Sequence, residues 1–204
     1  MNKASLYCFF AALLLIQTIS SAQKVIRFRG GVNAGLVTSQ VSGDGLGGWD
    51  KLGVTGGAFV SMGFNEKSSL DIGIMYSSKG SRMKKDTVSF SSFAYKLNYI
   101  DIPVLYGHRI GDLQLHIGPY VGILISQTEM RNGFDALPNP KFGLIEVGGE
   151  FGIGYWFSER NLLQIRAQTS MLPTRPAPNP ANKYNYYQQG NYNQVLQLVY
   201  NYRF

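Results

Sequence analysis

Residues 113–125 read LQLHIGPYVGILI, and every odd-numbered position of this segment is apolar. Most of the even-numbered positions hold a polar residue or glycine. Successive side chains of a β-strand point to opposite faces, so this alternation predicts a strand with one apolar face and one polar or small face. Such a strand lies between an apolar and a polar environment.

The same alternation recurs along most of the chain, for example in residues 145–157 and 196–204, and no helical period stands out. Most candidate strands reach the roughly 9–11 residues that a tilted strand needs to cross a bilayer. Strands of soluble proteins are shorter, at roughly 5–6 residues. The eight predicted strands are residues 28–38, 52–64, 69–80, 94–110, 113–127, 143–157, 162–172 and 192–204.

The connections between these strands alternate in length. Long segments at 39–51, 81–93, 128–142 and 173–191 are separated by short ones at 65–68, 111–112 and 158–161. An even number of strands, with short turns at one end and long loops at the other, is typical of outer-membrane barrels. We therefore expect an all-β fold, an eight-stranded antiparallel up-and-down transmembrane β-barrel with its termini and short turns in the periplasm. A soluble, lipocalin-like barrel with its apolar faces turned inward is the alternative.

The first 22 residues have the pattern of a cleaved secretory signal peptide. A short basic start precedes an apolar run from Leu6 to Ile16, and the small residues Ser20, Ser21 and Ala22 follow it. An N-terminal membrane anchor is the alternative, but the apolar run is short for a spanning helix. We expect residues 1–22 to be the signal peptide, residues 23–204 to be the barrel domain, and the protein to reside in the outer membrane.

Composition agrees with a lipid-covered surface. Charged residues make up 15% of the chain, well below the roughly 25% that is usual in soluble domains. The chain also contains 24 glycines, which would leave room inside a narrow barrel. The net charge is +7. Export and the lack of a soluble basic domain argue against nucleic acid as a partner.

Polar residues at alternate strand positions are predicted to fill the lumen. An eight-stranded barrel is just wide enough for side chains to fill it, so a nutrient pore is not expected. Arg166 should lie opposite Gly152 or Gly154, diagonal to Glu150 or nearby carboxylates, across the short turn that joins their strands. A proton or ion path is the alternative to a structural network. The predicted lumen residues are Asp71, Asp101, His116, Glu146, Glu150, Arg166 and Arg203.

The sequence gives little support for an enzymatic function. The two histidines, His108 and His116, both flank the short turn at Gly111 and Asp112, and no serine is placed to complete a triad with either. No closely spaced cluster has metal-ligand spacing, and no glycine pair precedes a helix as in a dinucleotide loop. We therefore expect no enzymatic activity, no metal and no cofactor.

Two groups of residues are candidates for contacts outside the membrane. Basic residues near the second long loop are predicted to pair with lipopolysaccharide phosphates: Lys79, Arg82, Lys84 and Lys85. The fourth long loop combines tyrosines with Asn and Gln, as recognition surfaces often do, and its candidates are Tyr184, Tyr186 and Tyr187. A simple flexible loop is the alternative for the second group.

Several segments resemble a known family. Residues 99–106, YIDIPVLY, and residues 116–122, HIGPYVG, resemble motifs of the PorT-like outer-membrane β-barrel family of Bacteroidota, a porin-like group. Asp101 stands where that family more often has Glu. The final residues, YNYRF, with Tyr202 and Phe204, resemble the signal that the barrel assembly machinery recognises. The resemblance implies an outer-membrane location and, for some members, a part in type IX secretion.

Three functional hypotheses follow. The first is an integral outer-membrane protein with a structural or interaction role, in its sharper form a PorT-like part in secretion or envelope assembly. Its partners would be outer-membrane lipids, lipopolysaccharide, the assembly machinery and other envelope or secretion-system proteins. The second is a small channel or transporter, and the third, least favoured, is a lipid-modifying barrel enzyme.

Overall fold

The computed structural model describes residues 26–43, 48–83, 92–132, 134–138, 140–176 and 190–204. The predicted signal peptide lies outside these residues. None of the described residues forms a helix long and apolar enough to span a membrane. The strands are β1 (Arg27–Ser42), β2 (Lys51–Gly63), β3 (Ser68–Arg82), β4 (Phe93–Ile110), β5 (Leu113–Arg131), β6 (Phe134–Ala136), β7 (Ile145–Trp156), β8 (Asn161–Ser170), β9 (Arg175–Pro176) and β10 (Gly190–Arg203).

Eight long strands close into a ring. In the order β1-β2-β3-β4-β5-β7-β8-β10, each pairs antiparallel with its neighbour, and β10 pairs with β1 from Gly31↔Arg203 to Ser42↔Tyr192. The short strands β6 and β9 pair antiparallel with the loop ends of β5 and β10. Because the ring is closed, the backbone N–H and C=O groups of every ring strand have hydrogen-bond partners on both sides, as the interior of a lipid bilayer requires. The predicted eight-stranded up-and-down barrel is confirmed.

The apolar faces of the strands point outward. Leu36 is 64% exposed and Ile74 is 62% exposed, whereas the alternate positions on the same strands are buried. A soluble barrel would turn these side chains inward, so the observed direction contradicts the lipocalin-like alternative. The exposed belt includes Val32, Leu36, Val54, Val60, Ile72, Ile74, Ile117, Phe151, Ile153, Ile165 and Leu198.

The two ends of this belt are marked by different kinds of side chain. Exposed aromatic residues such as Tyr106 and Tyr155 lie at the end with the short turns, as in an interfacial girdle. Toward the long loops, outward polar groups bond to each other: the Tyr76 hydroxyl donates to Asn98, 3.0 Å away, and Asn98 donates to Ser126 at 2.8 Å. From residue 98 to residue 106 a strand tilted by about 40° rises roughly 20 Å, close to the ~25 Å apolar band of such barrels.

A β-bulge alters one strand in a way that alternation alone does not reveal. The register between β4 and β5 shifts at Asn98/Tyr99, where Asn98 pairs with Ser126 and Tyr99 pairs with Leu124. Ile125 is the extra residue. Beyond it the odd positions of β5 face inward, so Glu129 lies opposite Tyr95 and is buried.

Candidate functional site: the barrel interior

Lys79 of β3 is the centre of a polar cluster that crosses the lumen. Its side chain is fully buried, and its Nζ lies 2.9 Å from Oδ1 of Asp101 on β4 and 3.4 Å from Oε2 of Glu146 on β7. Tyr120 on β5 donates its hydroxyl to Oε1 of Glu146 at 2.6 Å, and the Asn193 amide on β10 donates to Oε2 at 3.0 Å. We call these five residues the Lys79 network. It joins five of the eight ring strands, β3, β4, β5, β7 and β10.

Two aromatic rings complete the surroundings of the Lys79 ammonium group. The rings of Tyr99 and Tyr120 each have their centroid 4.8 Å from Nζ. Asn193 also donates to the Tyr99 hydroxyl at 3.3 Å. A buried charge is tolerated only when it is paired and hydrogen-bonded, and here one cation is held by two carboxylates and two ring faces.

The position of Lys79 corrects the expectation that it contacts lipopolysaccharide at the outer loop. β3 continues to Arg82 instead of ending near residue 80, and its odd positions face the interior. Lys79 therefore shares the inward face with Asp71, eight residues earlier on the same strand. This shared parity is the sequence signal that could have placed Lys79 in the lumen. Arg82 has the opposite parity and is exposed.

A second polar cluster lies nearer the short turns and centres on Arg166 of β8. Its Nη1 donates to Oε1 of Glu150 at 3.3 Å, and its Nη2 donates to the side-chain oxygens of Gln164 and Asn201 at 2.6 and 3.1 Å. Gln168 donates to the other Glu150 oxygen at 2.6 Å. These five residues form the Arg166 network.

The pairing of Arg166 agrees with the sequence interpretation. Gly152 of β7 lies directly opposite Arg166, and Glu150 is diagonal to it, as the short turn predicts. A Cβ at Gly152 would lie 3.1 Å from Cγ of Arg166, tighter than most carbon contacts. The absence of a side chain at Gly152 thus makes room for the guanidinium group.

His116 links the Arg166 network to β3. Its Nε2 lies 2.6 Å from Oδ2 of Asp71, and its Nδ1 contacts the Gln164 amide, which in turn contacts Arg166. Both ring nitrogens are therefore occupied by a carboxylate and an amide. A catalytic triad needs a hydroxyl or thiol nucleophile on one of them, so this geometry does not resemble a triad. His108 instead faces outward beside Tyr106, with ring centroids 6.4 Å apart.

Toward the long loops the lumen becomes apolar. The buried cluster there consists of Val41, Tyr95, Leu97, Tyr99, Leu124 and Phe142. Arg175 covers it: the guanidinium carbon lies 4.8 Å from the Phe142 ring centroid and 5.1 Å from that of Tyr95, and Nη1 donates to the Tyr95 hydroxyl at 3.1 Å. No sequence pattern indicated this plug, because Phe142 and Arg175 lie outside the predicted strands.

The remaining predicted site residues lie apart from these networks. Arg203 lies at the mouth near the short turns, with its guanidinium carbon 4.3 Å from the Trp156 ring centroid. Tyr202 and Phe204 pack edge to face at the same end, with ring centroids 5.9 Å apart. Lys84, Lys85, Tyr184, Tyr186 and Tyr187 lie outside the described residues. Among the described residues no group of three or more His, Cys, Asp or Glu could hold a metal ion.

Residues 21–171 match the sequence profile of a family described as outer membrane protein beta-barrel domain. The chain belongs to this family. The match covers about three quarters of the sequence, and together with the apolar outer belt it makes the chain an outer-membrane β-barrel protein. A comparison with curated protein sequences gave no match.

The chain is also similar to solved outer-membrane barrels. The attachment invasion locus protein Ail of Yersinia pestis aligns with a TM-score of 0.49 at 12% identity, covering 86% of this chain and 98% of Ail. Neisserial surface protein A gives a TM-score of 0.49 at 11% identity, with coverages of 87% and 97%. OprG from Pseudomonas aeruginosa gives 0.39 at 13% identity, with coverages of 87% and 94%.

Proposed function

We propose that this outer-membrane barrel has a structural or interaction role, does not conduct solutes and is not an enzyme. The observation that carries the proposal is the filled lumen. The Lys79 and Arg166 networks and the apolar plug occupy successive levels of the interior. A cavity beside His116 and Arg166 measures about 20 Å³, room for about one water molecule. The surfaces at the two ends of the barrel are then the parts able to engage partners.

The loop end supports a contact with lipopolysaccharide. Lys51, Arg82 and Lys96 line a recess of about 730 Å³ there, together with apolar side chains such as Phe93 and Met130. Arg82 and Lys96 are exposed on neighbouring strands above the polar row that ends the apolar belt. Cations beside apolar side chains suit a lipid that carries phosphate groups next to acyl chains.

The more specific role is a PorT-like part in protein secretion or envelope assembly. Its support is the resemblance of residues 99–106 and 116–122 to that family. The assembly machinery would recognise the strand that carries Tyr202 and Phe204, and other envelope or secretion-system proteins would bind at the loops or turns.

Recording single channels in planar bilayers tests the closed lumen. We expect no discrete current steps from the purified, folded protein at neutral pH. Regular current steps would favour the small channel or transporter. A gramicidin-doped bilayer under the same conditions provides the positive control for detection.

Mass analysis of lipid A tests the absence of enzymatic activity. We expect identical lipid A from cells with and without the protein, since His116 is occupied by Asp71 and Gln164. A mass difference that the gene restores on re-expression would favour the lipid-modifying enzyme.

Photo-crosslinking tests the interaction role. A crosslinking amino acid at position 82 is expected to capture lipopolysaccharide in much higher yield than one at position 106, which is exposed at the opposite, short-turn end of the apolar belt. Equal yields at both positions would contradict the proposed contact at the loop end.

A further inference from the structure

The mouth of the barrel near the short turns contains a basin of about 440 Å³ that the filled lumen does not explain. Its lining includes Arg27 and Arg29 of β1, Arg109 of β4, Arg203 of β10, and Trp156 of β7. The four arginines occupy the alternate positions that face the interior further along each strand. We call this recess the arginine basin.

The charges in the arginine basin are mostly unpaired, unlike those deeper in the barrel. Among the described residues, Arg27, Arg29 and Arg203 form no ion pair, and Nε of Arg203 is buried without a hydrogen-bond partner. Arg109 has one long ion pair, 3.7 Å to Asp112, and its Nε donates to the Gly111 carbonyl at 2.8 Å. Like charges gathered in a concave site create a positive potential that attracts anions.

The acidic groups nearby are too few or already engaged. Glu66 and Glu159 are the carboxylates in the lining, against four arginines and Lys67. Asp71 attracts Arg203 from below, but its carboxylate is already bonded to His116, while Arg29 and Arg109 repel Arg203. An excess of positive charge therefore remains at the mouth.

The shape of the arginine basin favours a compact anion. Its arginines come from β1, β4 and β10, around a floor formed by the Trp156 ring, which lies 4.3 Å from the Arg203 guanidinium carbon and 5.4 Å from that of Arg109. A guanidinium group presents two parallel donors that match a phosphate group, and several such groups can bind one phosphate from different sides. An extended acidic peptide would need a linear groove instead.

We propose that the arginine basin binds a phosphate-bearing small molecule presented from the periplasm. The short turns mark this end as periplasmic by the rule for outer-membrane barrels. The barrel wall separates the inward-facing arginines from the surrounding lipid, so a soluble phosphate compound has the more direct access. This role is independent of the proposed closed lumen, since the basin lies outside the occluded section.

The fluorescence of Trp156 provides a direct readout, because its ring forms the floor. The protein would be placed in phosphatidylcholine nanodiscs and would carry Trp49→Phe, which removes the other tryptophan. Titration with inorganic phosphate and with glycerol 3-phosphate at low ionic strength is expected to give a saturable change in emission. Chloride at the same ionic strength is expected to give none.

Variants separate a specific site from general attraction. Arg29→Gln and Arg203→Gln are each expected to weaken binding by at least about tenfold, as loss of a charged hydrogen bond predicts. Arg160→Gln removes an exposed arginine of the β7–β8 turn that does not line the basin, and its affinity should equal that of the parent. Arg27 and Arg29 are exposed, so their double replacement tests the site even if Arg203→Gln does not fold.

Three results would overturn the proposal: no saturable response to either phosphate compound, an equal response to chloride, or equal weakening by Arg29→Gln and Arg160→Gln. Repeating the titration in phosphatidylglycerol discs distinguishes the source of the phosphate. An unchanged affinity supports a soluble ligand. An affinity lowered in the parent but not in Arg29→Gln supports a lipid headgroup in the same site.

Discussion

Positively charged side chains are paired in the middle of the lumen, whereas most of those at the mouth near the short turns have no ion-pair partner among the described residues. In the middle, Lys79 contacts two carboxylates and Arg166 contacts one carboxylate and two amide oxygens. At the mouth, Arg27, Arg29 and Arg203 have no ion pair within the described part of the chain. The comparison teaches that depth sets the requirement: a charge removed from water must be paired inside the protein, whereas an exposed one at the mouth, such as Arg29, is solvated and can bind a ligand.

The largest effect is expected from Lys79→Met, which leaves Asp101 and Glu146 buried without their cation. Breaking a buried ion pair on one side typically costs about 3–5 kcal/mol, so the free energy of unfolding should fall by that amount. Urea unfolding in detergent micelles measures it. Arg82→Met, on the exposed face of the same strand, is the matched control and should change it by no more than about 0.5 kcal/mol. Equal midpoints for the two variants would contradict the enclosed Lys79 network.

A smaller but still large loss is expected from Arg166→Met. Among the described residues, Glu150 then keeps the bond from Gln168 alone, and we expect the free energy of unfolding to fall by about 3 kcal/mol. The double variant Glu150→Gln with Arg166→Met removes the uncompensated charge and should recover part of this loss. If the free-energy losses of Glu150→Gln and Arg166→Met simply add in the double variant, Glu150 and Arg166 do not act as a pair.

Gly152→Leu tests whether the small residue makes room for the guanidinium group. A side chain there would meet Cγ of Arg166 and displace it from Glu150, with an expected loss of about 1–3 kcal/mol. The control is Ala58→Leu, at an exposed, outward position of β2. Equal unfolding midpoints for both variants would mean that the lumen adapts without strain.

The smallest effect is expected at the mouth. Arg29→Gln should leave the free energy of unfolding within about 0.5 kcal/mol of the parent, because this side chain is exposed and has no ion pair to lose. The same urea titration measures it. A loss of unfolding free energy comparable to that of Arg166→Met would contradict the distinction between paired charges in the middle of the lumen and unpaired charges at its mouth.

The sequence is sufficient to predict the strands and their faces. The period of two in residues 113–125 and 145–157 identifies which side chains point outward, and every predicted strand is present in the barrel. Parity also brings Arg166 opposite Gly152, since a four-residue turn leaves little freedom of register. The sequence pattern was sufficient to predict contacts between two strands that are joined by one short turn.

The sequence interpretation was wrong at Lys79, and alternation alone does not reveal where a strand changes its parity. Lys79 was grouped with the basic residues near the second long loop, although it lies within the predicted strand 69–80 and shares the inward parity of Asp71. Glu129 faces inward only because the bulge at Ile125 reverses the alternation of β5. A bulge depends on the fit between two strands, so one strand's pattern does not reveal it.

The sequence by itself determined an eight-stranded barrel with an apolar outside and a polar inside, because alternation and loop length are local properties. Only the tertiary structure decided which inward cations are neutralised. Lys79 and Glu146 are 67 positions apart and meet across the lumen, whereas Arg203 contacts the Trp156 ring and forms no ion pair with any of the described residues. Such contacts depend on barrel closure and register, since these set the distances between strands that are not neighbours.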